Sequence, residues 1–291
     1  MNLWQNYLRP KTLSEALEAL AHAPRPLAPI AGGTDLLLDL EQGRHSPVQT
    51  LIDVTSVAEM TALEMRGDSL YIGAAVPVNR IALDPLVGAY AQALTEACNL
   101  IAGPQVRNVA TLGGNVAHAL PAADGTIALL ALDAQAEVAS STGTRCVPLL
   151  SLFLGPGKSA LKHGEELLVG FYLPIHQLPI TSSCFKRIMR PQGVALPILN
   201  CAVWLAREAD AIKDIRIAVG PAGAIPFRAT QAEDVLRGKP FDEAAFQSAL
   251  EALLAQAQFR TSPRRASAEY RRHLAATLFR DTLESAWGRT E

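Results

Sequence analysis

Two loops built around adjacent glycines are the feature that most restricts how this chain can fold. The first, 30–36, reads Ile-Ala-Gly-Gly-Thr-Asp-Leu after a strand-like run, and the second, 111–115, reads Thr-Leu-Gly-Gly-Asn before a helix-like run. Paired glycines permit positive φ and close approach of a bulky group, so that successive N–H groups can converge on an anion. A single Gly-Gly pair would indicate only a turn. Two together predict a diphosphate cradle, to which Thr34, Thr111 and Asn115 add side-chain hydrogen bonds.

The remaining pattern predicts an α+β chain long enough, at 291 residues, for about two domains. Thr12 and Glu15 have the spacing of a capping box at the start of a first helix. Short β-like runs and helical runs then alternate. The predicted strands are 27–31, 51–54, 70–76, 136–140, 146–149 and 167–173, and the predicted helices are 87–101 and 125–132.

A proline-containing stretch without clear periodicity, 174–179, predicts the boundary between the domains. We therefore divide the chain into residues 1–176 and 181–288. The second domain is predicted to contain strands 184–189, 199–207 and 212–219, followed by helices 242–258 and 267–287. In the last helix, Tyr270, Leu274 and Leu278 are predicted to form a packing face, with Arg271 and Arg272 as solvated charges.

Composition and motifs exclude several classes of function. A formal net charge of -2 with scattered Lys and Arg argues against a nucleic-acid partner. The glycine loops lack the G-x-G-x-x-G spacing. Residues 155–159 end like a P-loop, but Leu152 occupies the position where the first glycine of that motif belongs. The sequence contains no G-x-S-x-G or H-E-x-x-H motif. These observations predict neither a triphosphate site nor a hydrolase.

Location and redox state are predicted from equally simple features. The longest apolar stretch, 127–132, falls far short of the ~20 residues of a membrane span. The first residues lack the features of a secretory signal, which predicts a cytoplasmic protein, although export on a partner stays possible. The four cysteines are too widely spaced for a metal loop and are predicted to be buried thiols: Cys98, Cys146, Cys184 and Cys201.

Taken with the segment 101–108, Ile-Ala-Gly-Pro-Gln-Val-Arg-Asn, the two loops resemble the FAD-binding (medium) subunit of the xanthine dehydrogenase and carbon monoxide dehydrogenase family of molybdenum hydroxylases. The resemblance extends over most of the chain. The similar segments are 7–12, 31–36, 52–54, 72–74, 103–124, 155–158, 165–168, 185–186 and 268–272.

The resemblance implies a fold and a function. The fold is a two-subdomain FAD-binding domain of the vanillyl-alcohol-oxidase (PCMH) type, followed by a small C-terminal domain with a three-stranded antiparallel sheet and helices. The function is electron transfer from [2Fe-2S] clusters on a small partner subunit, through FAD, to an acceptor such as NAD or a quinone. A large partner subunit would carry the molybdenum cofactor, in a heterotrimer or its dimer. No catalytic residue or metal ligand is expected on this chain.

The resemblance also implies which residues bind FAD. The two loops hold the diphosphate, Asp124 contacts the ribose side, and Leu168, Lys186 and Ile101 lie near the flavin ring. Lys186 would stabilise reduced, anionic flavin. Asp124 could instead cap the helix that begins near residue 125, or it could do both. The expected FAD-binding residues are Ala31, Gly32, Gly33, Thr34, Asp35, Leu36, Ile101, Thr111, Gly113, Gly114, Asn115, His118, Asp124, Leu168 and Lys186.

Two positions depart from the family pattern. Residues 191–195 read Pro-Gln-Gly-Val-Ala, where relatives often carry an acidic and an aromatic residue near the flavin, and His118 stands where a smaller polar residue is usual. His118 could equally be a surface or helix-start residue. Two alternative functions stay open: a free-standing FAD-dependent oxidoreductase, and a scaffold subunit that has lost its flavin.

Overall fold

The computed structural model describes residues 3–175, 180–190, 196–263 and 265–290. The first sheet is parallel, with the strand order β1-β3-β2. Its strands are β1 (Asn6–Leu8), β2 (Leu27–Ile30) and β3 (Thr50–Asp53), and the helices around it are α1 (Leu13–His22), α2 (Leu36–Glu41) and α3 (Ala58–Thr61).

A second, antiparallel sheet has the order β4-β5-β10-β6-β7. Its strands are β4 (Leu63–Arg66), β5 (Ser69–Gly73), β6 (Gln135–Ser140), β7 (Gly143–Pro148) and β10 (Glu166–Pro174). A helical segment separates β5 from β6: α4 (Val78–Leu83), α5 (Pro85–Tyr90), α6 (Gln92–Leu100), α7 (Pro104–Arg107), α8 (Leu112–Ala117) and α9 (Asp124–Ala131). Between β7 and β10 lie a 3-10 helix (Leu149–Leu152) and the hairpin of β8 (Phe153–Gly155) with β9 (Lys158–Ser159).

The C-terminal domain is built on three long antiparallel strands, as expected from the resemblance. They are β11 (Thr181–Met189), β12 (Pro197–Glu208) and β13 (Ala211–Gly220), and the short strands β14 (Phe227–Arg228) and β15 (Lys239–Pro240) pair with β13. The helices are α10 (Thr230–Leu236), α11 (Glu243–Gln256) and α12 (Ala268–Gly288). None of the helices within the described ranges is long and apolar enough to cross a bilayer.

Local sequence signals explain where helices begin. The Thr12 hydroxyl accepts from the Glu15 amide at 3.2 Å, and the Glu15 carboxylate accepts from the Lys11 amide at 2.8 Å, which confirms the capped start of α1. The single helix predicted over 87–101 is wrong. It is divided at Ala91, whose φ of -142° is not helical, into α5 and α6.

Strand β12 separates two hydrophobic cores. Its alternate residues Ala202, Trp204 and Ala206 pack into the core of the N-terminal domain, whereas Cys201 and Val203 pack into the core beneath α11 and α12. Successive side chains of a strand point to opposite faces, so one strand belongs to both domains. The prediction that all cysteines are buried is wrong for Cys146 alone, because it lies on β7 at an exposed sheet edge.

The packing face predicted for helix α12 is confirmed for Leu274 and Leu278, which pack into the C-terminal core, but is wrong in the first turn. Tyr270 is 47% exposed, whereas Arg271 is only 1% exposed. Arg272 is exposed, as predicted. The prediction that Arg271 is a solvated charge is therefore wrong: its side chain turns inward, and Nη1 donates to the Arg260 carbonyl at 2.7 Å.

Candidate functional site

A cavity of about 860 Å³ lies between the two glycine loops, strand β10 and the C-terminal domain. Its volume falls within the range of sites for large organic ligands. Except for Lys186, every residue expected to bind FAD lines it: Ala31, Gly32, Gly33, Thr34, Asp35, Leu36, Ile101, Thr111, Gly113, Gly114, Asn115, His118, Asp124 and Leu168. Residues far apart in sequence thus line the same cavity.

The first glycine loop presents backbone donors to this cavity. Within the described residues, the amides of residues 32–35 donate to no protein acceptor. Gly33 has a φ of +68°, a conformation that other residues rarely adopt. Gly32 is required for packing, because a Cβ there would lie 2.1 Å from the Val109 carbonyl oxygen. The loop therefore keeps N–H groups free for an anionic ligand.

The second glycine loop is different, because its amides are already used. The amide of Gly113 donates to the Ala74 carbonyl at 2.8 Å and that of Gly114 to the Thr111 hydroxyl at 3.1 Å. The amides of residues 112 and 115 also have protein acceptors. The expectation that both loops offer converging N–H groups is therefore wrong for this one. It can contribute side chains and allow close approach, but not a backbone cradle.

Asn115 connects this loop to helix α9. Its Oδ1 accepts from the Thr126 amide at 3.1 Å and from the Thr126 hydroxyl at 3.4 Å. The Asn115 side-chain oxygen thus satisfies a donor in the first turn of α9, and its Nδ2 remains available to a ligand. Asn115 both lines the cavity and holds its wall in place.

Asp124 is an anchor between the domains. It is 5% exposed; its Oδ2 lies 2.5 Å from Arg187 Nη1, and its Oδ1 accepts from Asn200 Nδ2 at 2.7 Å. Burial raises the pKa of this carboxyl, and Arg187 and Asn200 oppose that shift. The alternative role as a helix cap is wrong, because the side chain makes no capping bond to α9.

The neighbouring cations of β11 lie on opposite faces. Arg187 lines the cavity, whereas Lys186 does not. Phe185 packs into the N-terminal core and Cys184 into the C-terminal core, so strand alternation places Lys186 on the Cys184 face. The placement does not support Lys186 as a residue beside the flavin, and it brings Arg187 to the wall instead.

The remaining residues expected to contact FAD also line the cavity. Leu168 is buried on β10 beside a register irregularity, and Ile101 precedes Ala102, whose φ is +47°. Arg107 stabilises this turn, donating to the carbonyls of both residues at 3.1 and 2.7 Å. His118 is exposed at the end of α8 and lines the cavity. The departure noted at 191–195 lies outside the described residues.

Sequence reasoning missed the arginines that the C-terminal domain contributes. Arg187, Arg260, Arg265 and Arg271 all line the cavity. No spacing motif links them, because separate segments of the second domain bring them together. The one available signal was the density of arginines between 260 and 272.

Two family models together match most of the chain. A family model described as the FAD binding domain in molybdopterin dehydrogenase matches residues 3–176. The chain belongs to this family. The model of the CO dehydrogenase flavoprotein C-terminal domain matches residues 183–286. The resemblance stated from sequence is thereby confirmed, and with it the two-part α+β fold.

Individual relatives of this flavoprotein family agree over nearly the whole chain. The xanthine dehydrogenase FAD-binding subunit of Escherichia coli is 32% identical over 283 residues, covering 97% of this chain and 95% of its own. The nicotine 6-hydroxylase medium subunit of Paenarthrobacter nicotinovorans is 33% identical, covering 98% of both chains. A solved carbon monoxide dehydrogenase from Hydrogenophaga pseudoflava superposes with a TM-score of 0.91 at 29% identity, over 99% of this chain and 98% of that one. The chain is an FAD-binding subunit of the molybdenum-dependent dehydrogenases, which are built from several subunits.

Proposed function

We propose that this chain holds FAD in the cavity and carries electrons from a [2Fe-2S] partner subunit to an external acceptor such as NAD or a quinone. The observation that supports the proposal best is the row of amides at 32–35, which have no acceptor among the described residues and belong to a loop that lines a cavity of about 860 Å³. Bound FAD can take up electrons singly and release them as a pair. That chemistry suits a subunit that joins one-electron and two-electron carriers.

The protein's own residues would bind FAD and fix its position. The amides of 32–35 would hold the diphosphate, with Thr34 and the Asn115 amide nitrogen as additional donors. Leu168 and Ile101 would provide apolar contact for the ring. The Asp124–Arg187 pair fixes the C-terminal domain against the cavity. None of these roles requires a general acid or base.

The proposed assembly is a heterotrimer or its dimer, with a large subunit that holds the molybdenum cofactor and a small iron–sulfur subunit. Support comes from the relatives, which are named as medium or FAD-binding subunits of dehydrogenases and hydroxylases. The substrates in their names differ although these subunits are similar, so we expect the large partner subunit, and not this chain, to determine which substrate is oxidised.

An absorption spectrum of the purified full-length chain tests the proposal. We expect two flavin bands between 300 and 600 nm, and heat should release a compound that co-migrates with FAD rather than FMN. A colourless chain that cannot be reconstituted with FAD would contradict the proposal and favour a scaffold subunit. Oxidation of an organic substrate by the isolated chain would favour a free-standing oxidoreductase.

A further inference from the structure

The C-terminal side of the cavity carries positive charge for which the described residues supply no counter-ion. Arg260, Arg265 and Arg271 line the cavity, and none of them forms an ion pair within the described part of the chain. The carboxylates that line the cavity and form ion pairs do so with other cations: Asp39 with Arg44, Asp124 with Arg187 and Glu166 with Arg145.

Arg271 is the buried cation of this group. The residue is 1% exposed, its Nη1 donates to the Arg260 carbonyl, and its Nε is buried without an acceptor. A buried cation without a counter-ion is costly unless something compensates it. Burial, and then the charges of Arg260 and Arg265, lower the pKa of Arg271. A bound anion would remove that cost.

The loop that carries the other two arginines is fixed by its backbone. The Ser262 amide donates to the Ala266 carbonyl at 2.9 Å, and the Arg265 amide donates to the Ser262 carbonyl at 3.0 Å. The Arg190 side chain donates to the Arg265 carbonyl at 3.2 Å. These bonds hold the loop without using the side chains of Arg260 or Arg265. Neither guanidinium group has a hydrogen-bond or ion-pair partner among the described residues, so both can bind a ligand.

We propose that Arg260, Arg265 and Arg271 form a subsite for a nucleotide phosphate on the C-terminal-domain wall of the cavity. Guanidinium groups pair with phosphate oxygens through two parallel hydrogen bonds, and three cations suit a multiply charged group. The phosphate can be the diphosphate of FAD, which these arginines would then bind together with the amides of 32–35, or it can belong to a pyridine-nucleotide acceptor. The inference rests on the proposed function, because it assumes that nucleotides enter this cavity.

The test compares the full-length wild type with the double variant Arg260→Gln/Arg265→Gln. The Arg260 side chain is exposed and that of Arg265 half-buried, so both replacements should leave the fold intact. Arg272→Gln is the matched control: Arg272 is exposed, lies in the same segment and does not line the cavity. Thermal unfolding checks that all three proteins are equally stable.

Two dissociation constants are measured by calorimetry: FAD with the flavin-stripped chain, and NAD⁺ with the FAD-loaded chain. We expect the double variant to weaken one of them by at least about tenfold, and the control to change neither. Weaker FAD binding assigns the subsite to the cofactor's phosphate, and weaker NAD⁺ binding assigns it to the acceptor. Unchanged affinity for both ligands would overturn the subsite alone. A wild-type chain that binds no FAD would overturn the proposed function instead.

Discussion

Asp124 and Arg187 form an ion pair, with Oδ2 and Nη1 2.5 Å apart, that joins helix α9 of the N-terminal domain to strand β11 of the C-terminal domain. Both side chains are about 95% buried. Asn200 on β12 donates to the same carboxylate. The relative position of the domains at the cavity therefore depends on a desolvated charge pair.

Arg187→Met should destabilise the protein by about 3–5 kcal/mol, because it leaves the Asp124 carboxyl buried without its cation. The double variant Asp124→Asn/Arg187→Met should lose less than the sum of the two single variants. Urea unfolding of all four proteins measures the coupling. Additive losses would show that the pair contributes no interaction energy.

The Arg187→Met variant should also become sensitive to pH. Burial already raises the pKa of Asp124, and loss of the arginine removes the positive charge that opposes this shift. A carboxyl whose folded pKa lies above its unfolded pKa favours the folded state when protonated. The deficit of the variant relative to wild type should therefore grow as pH rises through the folded pKa. Urea midpoints between pH 5 and pH 8 measure this, and a constant deficit would count against it.

Gly32→Ala and Gly114→Ala should behave differently, although both glycines line the cavity. A Cβ at Gly32 would meet the Val109 carbonyl oxygen at 2.1 Å, whereas at Gly114 the nearest atom is the Thr111 hydroxyl at 3.2 Å. We expect a loss of about 3 kcal/mol or more for Gly32→Ala and less than about 1 kcal/mol for Gly114→Ala. Chemical unfolding gives both values, and equal losses would refute the packing role of Gly32.

A larger side chain at Gly114 separates folding from cofactor binding. Gly114 is exposed to the cavity, so Gly114→Leu should fold but obstruct the space that FAD would occupy. We expect flavin absorbance to be lost while the circular dichroism of the chain is retained. Gly114→Ala serves as the control and should keep its flavin. A fully yellow Gly114→Leu protein would show that the second loop does not border bound FAD.

Glu166→Gln should reduce stability at neutral pH but not in acid. Its carboxylate pairs with Arg145 at 2.9 Å and accepts from the Lys162 amide at 3.0 Å, and these contacts lower its pKa. This stabilisation is present above the unfolded pKa and is lost as pH falls through the folded value. We expect a loss of about 1–2 kcal/mol at pH 7 that disappears below the folded pKa. The exposed neighbour, in Glu165→Gln, is the control and should change little at either pH.

Features that depend on residues close together in the chain could be predicted from the sequence. Thr12 and Glu15 gave the start of α1, and the glycine pairs gave the cavity wall. The division at Ala91 was missed because Asp84 and Pro85 mark only the start of α5, whereas Ala91 gives α6 no side-chain cap. Arg271 was misread because its burial depends on a loop outside its own helix. Which face of β11 carries Lys186 and which carries Arg187 was not predicted, because sequence similarity gives a position but not the side of the sheet.

Because β12 contributes residues to both cores, the two domains of this protein cannot be separated without exposing apolar side chains. Removing residues after 176 would strip Trp204 and its neighbours from the N-terminal core, and the excised C-terminal half would expose the same apolar face to water. The two family matches meet between residues 176 and 183, yet a cut there leaves the apolar face shared through β12 uncovered in both halves. Two proteins expressed separately from either side of the family boundary should therefore aggregate rather than fold as independent domains. The intact chain should unfold on heating in one calorimetric transition.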